Sequence, residues 1–139
     1  MEAQRTKKAI FVADKTTAVV RYQVRDVDRA LDFYTQHLGF RVESRPAPII
    51  AIIARGDLHL ILSGPDASGS RPVAGGETQE PGGWNRIVLY VDDLDSTIAT
   101  LKKYGIGFRN DVEEGPGGKQ IQLDDPDGNP VELHEAPRH

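Results

Sequence analysis

Val24-Arg25-Asp26-Val27-Asp28 opens a stretch that runs on to Leu38-Gly39-Phe40, and its pattern returns as Val91-Asp92-Asp93-Leu94-Asp95 through Gly105-Ile106-Gly107-Phe108. The offset of about 67 residues is half the chain, the mark of a tandem duplication. Upstream of each copy, apolar residues alternate with polar or mixed ones: Val20, Tyr22 and Val24, then Ile87, Leu89 and Val91. A period of two is that of a half-buried strand. Next comes an Asp-rich turn, in which Asp26 or Asp28, and Asp93 or Asp95, can cap the first amide groups of a helix. Apolar residues then fall at i, i+4 and i+7, as Val27, Leu31 and Tyr34 against Leu94, Ile98 and Leu101, which predicts one buried helical face in each copy. Gly39 and Gly105 stand where a helix needs a left-handed residue to stop.

Three strand-like runs follow each predicted helix. In the first half they lie at Phe40 to Ser44, Ile49 to Ala54 and Leu58 to Ser63, with Arg55-Gly56-Asp57 as the turn between the last two. The second half predicts strands at Phe108 to Val112, Lys119 to Leu123 and Val131 to His134, with Asp127-Gly128-Asn129 as the matching turn. Residues 64–83 are rich in Gly, Pro and Ser and read as a flexible connector. The expected organisation is an N-terminal arm over 1–17 and one domain over 18–139, with βαβββ modules at about 18–63 and 84–136. Ile10-Phe11-Val12 could add a short strand within the arm.

Composition narrows the classes of function. The net charge of −4 is mild and its signs are interspersed, which argues against nucleic acid as a partner. Cysteine is absent, so disulfides, thiolate metal sites and a cysteine nucleophile are excluded. No segment has the apolar length of a membrane span, and the apolar run Ala9 to Ala13 is too short for a signal peptide before Asp14-Lys15 interrupt it. The expected location is cytoplasmic.

The paired modules, with Phe33-Tyr34 and Leu38-Gly39-Phe40 in the first and Asp125-Pro126-Asp127-Gly128-Asn129-Pro130-Val131-Glu132-Leu133 closing the second, resemble the vicinal oxygen chelate superfamily. That superfamily is also called glyoxalase/bleomycin resistance/dioxygenase, and the resemblance runs from about Ala18 onward. It implies an α+β fold in which two tandem modules form a curved mixed sheet around a cup, with helices on the outer face. It also implies a homodimer, and in the enzymes a divalent metal held by His and Glu side chains from the first and last strands of each module. Here those positions fall on Val19, Ile61, Arg86 and Glu132. One hard ligand in four does not make a catalytic metal site, which needs roughly three protein ligands and an open position. No cofactor is therefore expected, and a divalent metal ion is the alternative.

Strand alternation gives the residues that share the cup with Glu132. From the first module these are Val19, Arg21, Gln23, His59, Ile61 and Ser63. The second module supplies Arg86, Val88, Tyr90, Gln120, Gln122, Glu132 and His134. Arg86 opposite Glu132 suggests that an Arg–carboxylate pair replaces the ion at the base of the cup, since an unpaired buried carboxylate is costly. Trp84, the sole tryptophan, either stacks on a planar ligand or anchors the connector. The candidate ligand-binding set is Arg21, Gln23, His59, Trp84, Arg86, Tyr90, Gln122 and Glu132.

Two classes of function fit these residues, beside a third, a purely regulatory or interaction module with a filled, dry cup and no ligand. In the first, the protein binds a small aromatic or anionic organic molecule without metal, as bleomycin-resistance-type sequestration proteins do. In the second it is a lyase, isomerase or dioxygenase of the glyoxalase kind, either metal-dependent or using Glu132 as general base with Arg86 stabilising an oxyanion. A displaced metal site at His59, Glu132 and His134 is disfavoured because nothing places His59 near the other two. Arg55-Gly56-Asp57 is read as a turn and not an adhesion motif. Gly115 to Gln120 lacks the first glycine, the Ser or Thr and the following helix of a phosphate loop.

Overall fold

A computed structural model describes residues 18–138. The expected strand at Ile10-Phe11-Val12 and the tail residue His139 lie outside the described residues. The first module comprises β1 (Ala18–Gln23), α1 (Val27–His37), β2 (Arg41–Ala47), β3 (Ile50–Arg55) and β4 (Leu58–Ser63). The second comprises β5 (Ile87–Tyr90), α2 (Leu94–Lys103), β6 (Glu113–Gly115), β7 (Gly118–Asp124) and β8 (Pro130–Glu135). Each module folds into a four-stranded mixed sheet, in the orders β1-β4-β3-β2 and β5-β8-β7-β6. In both, the strand before the helix runs parallel to the last strand and the remaining pairs are antiparallel. The duplication read from the sequence is thus a duplication of topology.

The helix ends are set as their residues require. Asp26 accepts the Arg29 amide at 3.1 Å and Asp93 accepts the Ser96 amide at 3.1 Å. Gly39 and Gly105, at φ 74° and 77°, then turn the chain out of each helix in the left-handed region. The apolar faces of both helices and both sheets meet in one core that includes Tyr22, Tyr34, Leu60, Leu94, Leu123 and Leu133. This shared core explains why neither half needs to stand alone: each module supplies one layer of it.

One predicted strand is corrected. Phe108 to Val112 forms no strand; it makes a single bridge, Phe108 to Leu123, and the ladder partner of β7 is Glu113–Gly115. The cause is local. The Gln122 amide, which a neighbouring strand would have bonded through its backbone, donates instead to the Asn110 side chain at 2.9 Å. The connector is likewise tied to the body at its start, where Ala67 and Ser70 are buried around a 3-10 turn at Ser68–Ser70. Among the described residues, no helix is long and apolar enough to cross a membrane.

The modules are locked together by polar contacts through the Asp125–Pro130 turn. The Tyr22 hydroxyl donates to the Pro130 carbonyl at 2.8 Å and accepts from the Ile87 amide at 3.0 Å. The Tyr34 hydroxyl donates to Asp125 Oδ2 at 2.8 Å, and Arg29 Nη2 donates to Asp127 Oδ1 at 2.9 Å. The turn that closes the second module is therefore also the socket for the first helix.

Candidate functional site

The sheet face turned away from the core carries the residues that alternation assigns to it. Register places Val19 beside His59, Arg21 beside Ile61 and Gln23 beside Ser63 in the first sheet. In the second it places Val88 beside Glu132 and Tyr90 beside His134, with Gln122 and Gln120 next across on β7. Of the candidate ligand-binding residues, Arg86, Tyr90, Gln122 and Glu132 share the second sheet face. Arg21, Gln23 and His59 belong to the first.

Arg86 and Glu132 form the expected pair. Arg86 Nε and Nη2 approach the same oxygen, Glu132 Oε1, at 3.0 and 2.9 Å, and the Glu132 side chain keeps 9% of its surface exposed. The other oxygen, Oε2, meets His134 Nδ1 at 2.8 Å. Gln120, its amide nitrogen turned toward the carboxylate, lies 3.0 and 3.2 Å from the two oxygens. Glu132 is thus saturated with donors. His134 Nε2 lies 2.8 Å from the Gly117 carbonyl, so both ring nitrogens face atoms that only accept. When protonated, the His134 ring can donate from both. Its hydrogen bond to Glu132, followed by that to Gly117, raises its pKa above the ordinary histidine value.

Alternation places His134 and Gln120 on this face, where the sequence reading considers His134 only for a disfavoured metal site and gives Gln120 no role; the spacing Glu132-x-His134 on one strand is the available signal for their contact. Arg109 was missed altogether. It pairs with Asp124, donates to the carbonyls of Gly83 at 2.8 Å and Gly128 at 3.0 Å, and rests its guanidinium 4.9 Å from the centre of the Trp84 ring. Arg109 therefore ties the end of the connector to the body. Trp84 remains 74% exposed, and Tyr90, whose ring lies tilted against that of His134 at 5.1 Å between centres, remains 64% exposed. Trp84, backed by the Arg109 guanidinium, and Tyr90, in contact with the His134 ring, thus stand open to solvent.

In the first sheet, Arg21 Nη1 donates to Ser63 Oγ at 3.1 Å and Gln23 donates to the Gly69 carbonyl at 3.1 Å. His59 Nε2 lies 3.9 Å from Glu43, while its Nδ1 is buried without a hydrogen-bond partner; Gln122 Oε1 is buried and unpartnered in the same way. His59 is not brought to Glu132 and His134. Among the described residues, no group of three or more His, Cys, Asp or Glu is placed to hold a metal ion. The side chains at the four implied ligand positions do not fit a divalent metal: Val19 and Ile61 have no donor atom, Arg86 is a cation, and Glu132 has both oxygens engaged.

The family described as Glyoxalase/Bleomycin resistance protein/Dioxygenase superfamily matches residues 16–133. No protein of curated function matches the chain. Among solved structures, a member of the same superfamily from Sphaerobacter thermophilus DSM 20745 is 28% identical with a TM-score of 0.70, covering 86% of this chain and 96% of its own. TnmS3, an antibiotic binding protein from Streptomyces sp. CB03234, is 25% identical with a TM-score of 0.70, covering 91% of this chain and 100% of its own. A lactoylglutathione lyase from Agrobacterium tumefaciens, 23% identical, shares the fold at a TM-score of 0.67, over 87% of this chain and 93% of its own.

Proposed function

The chain belongs to the glyoxalase/bleomycin resistance protein/dioxygenase superfamily, and within it we propose that this protein binds a small organic molecule on its open sheet faces without a metal ion. The observation that carries this reading is the closure of Glu132. A carboxylate that ligates a metal or removes a proton needs a lone pair directed at the metal or substrate, and here Arg86, His134 and Gln120 occupy both oxygens. Glu132 then holds a cationic floor in place. The exposed side chains of Trp84 and Tyr90 offer π surface for a planar ligand.

The antibiotic-binding relative is an instance of this fold in a binding protein and the lactoylglutathione lyase an instance in an enzyme, so the choice between sequestration and turnover rests on Glu132. In this reading the working unit is a homodimer that encloses the ligand between sheet faces, covering apolar side chains such as Val19 and Val88 that one chain leaves exposed. Titration of the protein with planar aromatic antibiotics, followed through fluorescence of the sole tryptophan, tests the proposal. Saturable quenching with unchanged ligand and no effect of chelator is expected. Conversion of the ligand, or binding abolished by chelator, would overturn it.

A further inference from the structure

The arginines on the open sheet faces differ in one respect. Arg41 is paired with Glu43 at 3.4 Å, Arg86 with Glu132 at 2.9 Å, and Arg109 with Asp124. Arg21 alone among them has no carboxylate partner within the described residues. It is nevertheless held. Its Nη1 donates to Ser63 Oγ, which shares a 2.7 Å hydrogen bond with Ser70 Oγ, and its guanidinium lies so close under Gly69 that a Cβ there would overlap Nη1, Cζ and Nε. The 3-10 turn of the connector is pinned over it by the bond from Gln23 to the Gly69 carbonyl.

An arginine immobilised in this way has already lost the rotamer freedom that binding would cost, and among the described residues its Nε and Nη2 donate to no partner. Its surroundings describe the rest of a ligand. Register sets Arg21 beside Ile61 and Ile61 beside Ile52, an apolar row one strand-step from Val19, which is 54% exposed. A fixed cation without a carboxylate partner among the described residues, at the end of an apolar strip, suits a ligand with an acidic head and an apolar body.

We propose that Arg21 is the anion-recognition residue of the site, and that the ligand is an amphipathic organic anion whose carboxylate or sulfonate sits on Arg21 with its apolar body across Ile61 and Val19. This deepens the binding function proposed above and rests on it.

A matched pair of fluorescent probes tests the proposal: 1-anilinonaphthalene-8-sulfonate and N-phenyl-1-naphthylamine, which have the same rings with and without the sulfonate. The wild-type chain is expected to bind the sulfonate at least tenfold more tightly. Arg21→Gln should bring the two affinities together while leaving that for the neutral probe unchanged, which also shows that the variant is folded. Arg21→Lys, which keeps the charge and loses the planar fork, should fall between. Val19→Asp should weaken both probes. If the two probes bind the wild type equally, if Arg21→Gln leaves the sulfonate affinity intact, or if Val19→Asp leaves both unaffected, the anion site is wrong and the binding function stands. Failure of both probes to bind would overturn the anion site and the binding function together.

Discussion

Arg86 sets two nitrogens, Nε at 3.0 Å and Nη2 at 2.9 Å, on a single oxygen of Glu132, and thereby leaves the second oxygen to His134 at 2.8 Å. Removing either partner strands part of a carboxylate that is nearly out of solvent. Breaking such a pair costs more than the pair itself contributes, because the surviving charge has lost its compensation. Arg86→Ala is expected to lower unfolding stability by about 1–3 kcal/mol in urea titration. The double variant Arg86→Met with Glu132→Leu should recover much of that loss. Full stability in Arg86→Ala would mean that the pair is ornamental.

His134 makes the same network depend on pH. Its pKa in the fold lies above the unfolded value, so the stability it contributes is fully present below that value, near 6.5, and is lost as pH rises through the folded pKa. His134→Gln should therefore destabilise the protein at about pH 5.5 and much less at about pH 9. Chemical denaturation of both proteins across that range measures the difference. A gap that widened with rising pH would contradict the raised pKa of His134.

Tyr34 is fully buried and its hydroxyl serves only the module junction. Burial pushes the Asp125 carboxyl up from its ordinary range and the Tyr34 phenol well above its own, which keeps the phenol proton in place as the donor to Asp125. Tyr34→Phe keeps the ring and removes that donor. It should cost about 1.5–3 kcal/mol in unfolding stability, the usual contribution of a hydrogen bond to a charged group, while Asp125 Oδ2 keeps its bond from Asn129. It should leave ligand affinity unchanged, since Tyr34 lies in the core and not on the open faces. Loss of binding without loss of stability would place the junction in the site.

Those features that repeat were legible in the sequence. Asp26 and Asp93, Gly39 and Gly105, and the alternation through Tyr22 and Leu89 each appear twice, so each copy checked the other, and the Arg86–Glu132 pair followed from the metal-ligand positions that the family resemblance implies, laid onto strands of known phase. Features that occur once were not. The strand expected at Phe108 failed because the Asn110 side chain takes the place of a backbone acceptor, a substitution that periodicity cannot register. Arg109 lies under Trp84 because the end of the connector docks against the Asp125–Pro130 turn, and Arg21 is fixed because Gly69 passes above it. Both depend on where a Gly-rich segment docks, which is a property of tertiary structure and leaves no local spacing to read.

The central claim is that this member of the superfamily works without a metal, and elemental analysis of the full chain, purified without an affinity-tag metal or chelator, tests it most directly. Re-titration with Ni, Zn, Mn and Fe, followed by thermal unfolding, completes the measurement, because a resident ion would raise the midpoint by mass action. No stoichiometric metal and no shift of the midpoint are predicted, as Val19, Ile61 and Arg86 supply no ligand and Glu132 is engaged. One tightly held ion per chain, with a raised midpoint on its return, would contradict the account and restore metal-dependent chemistry to the site.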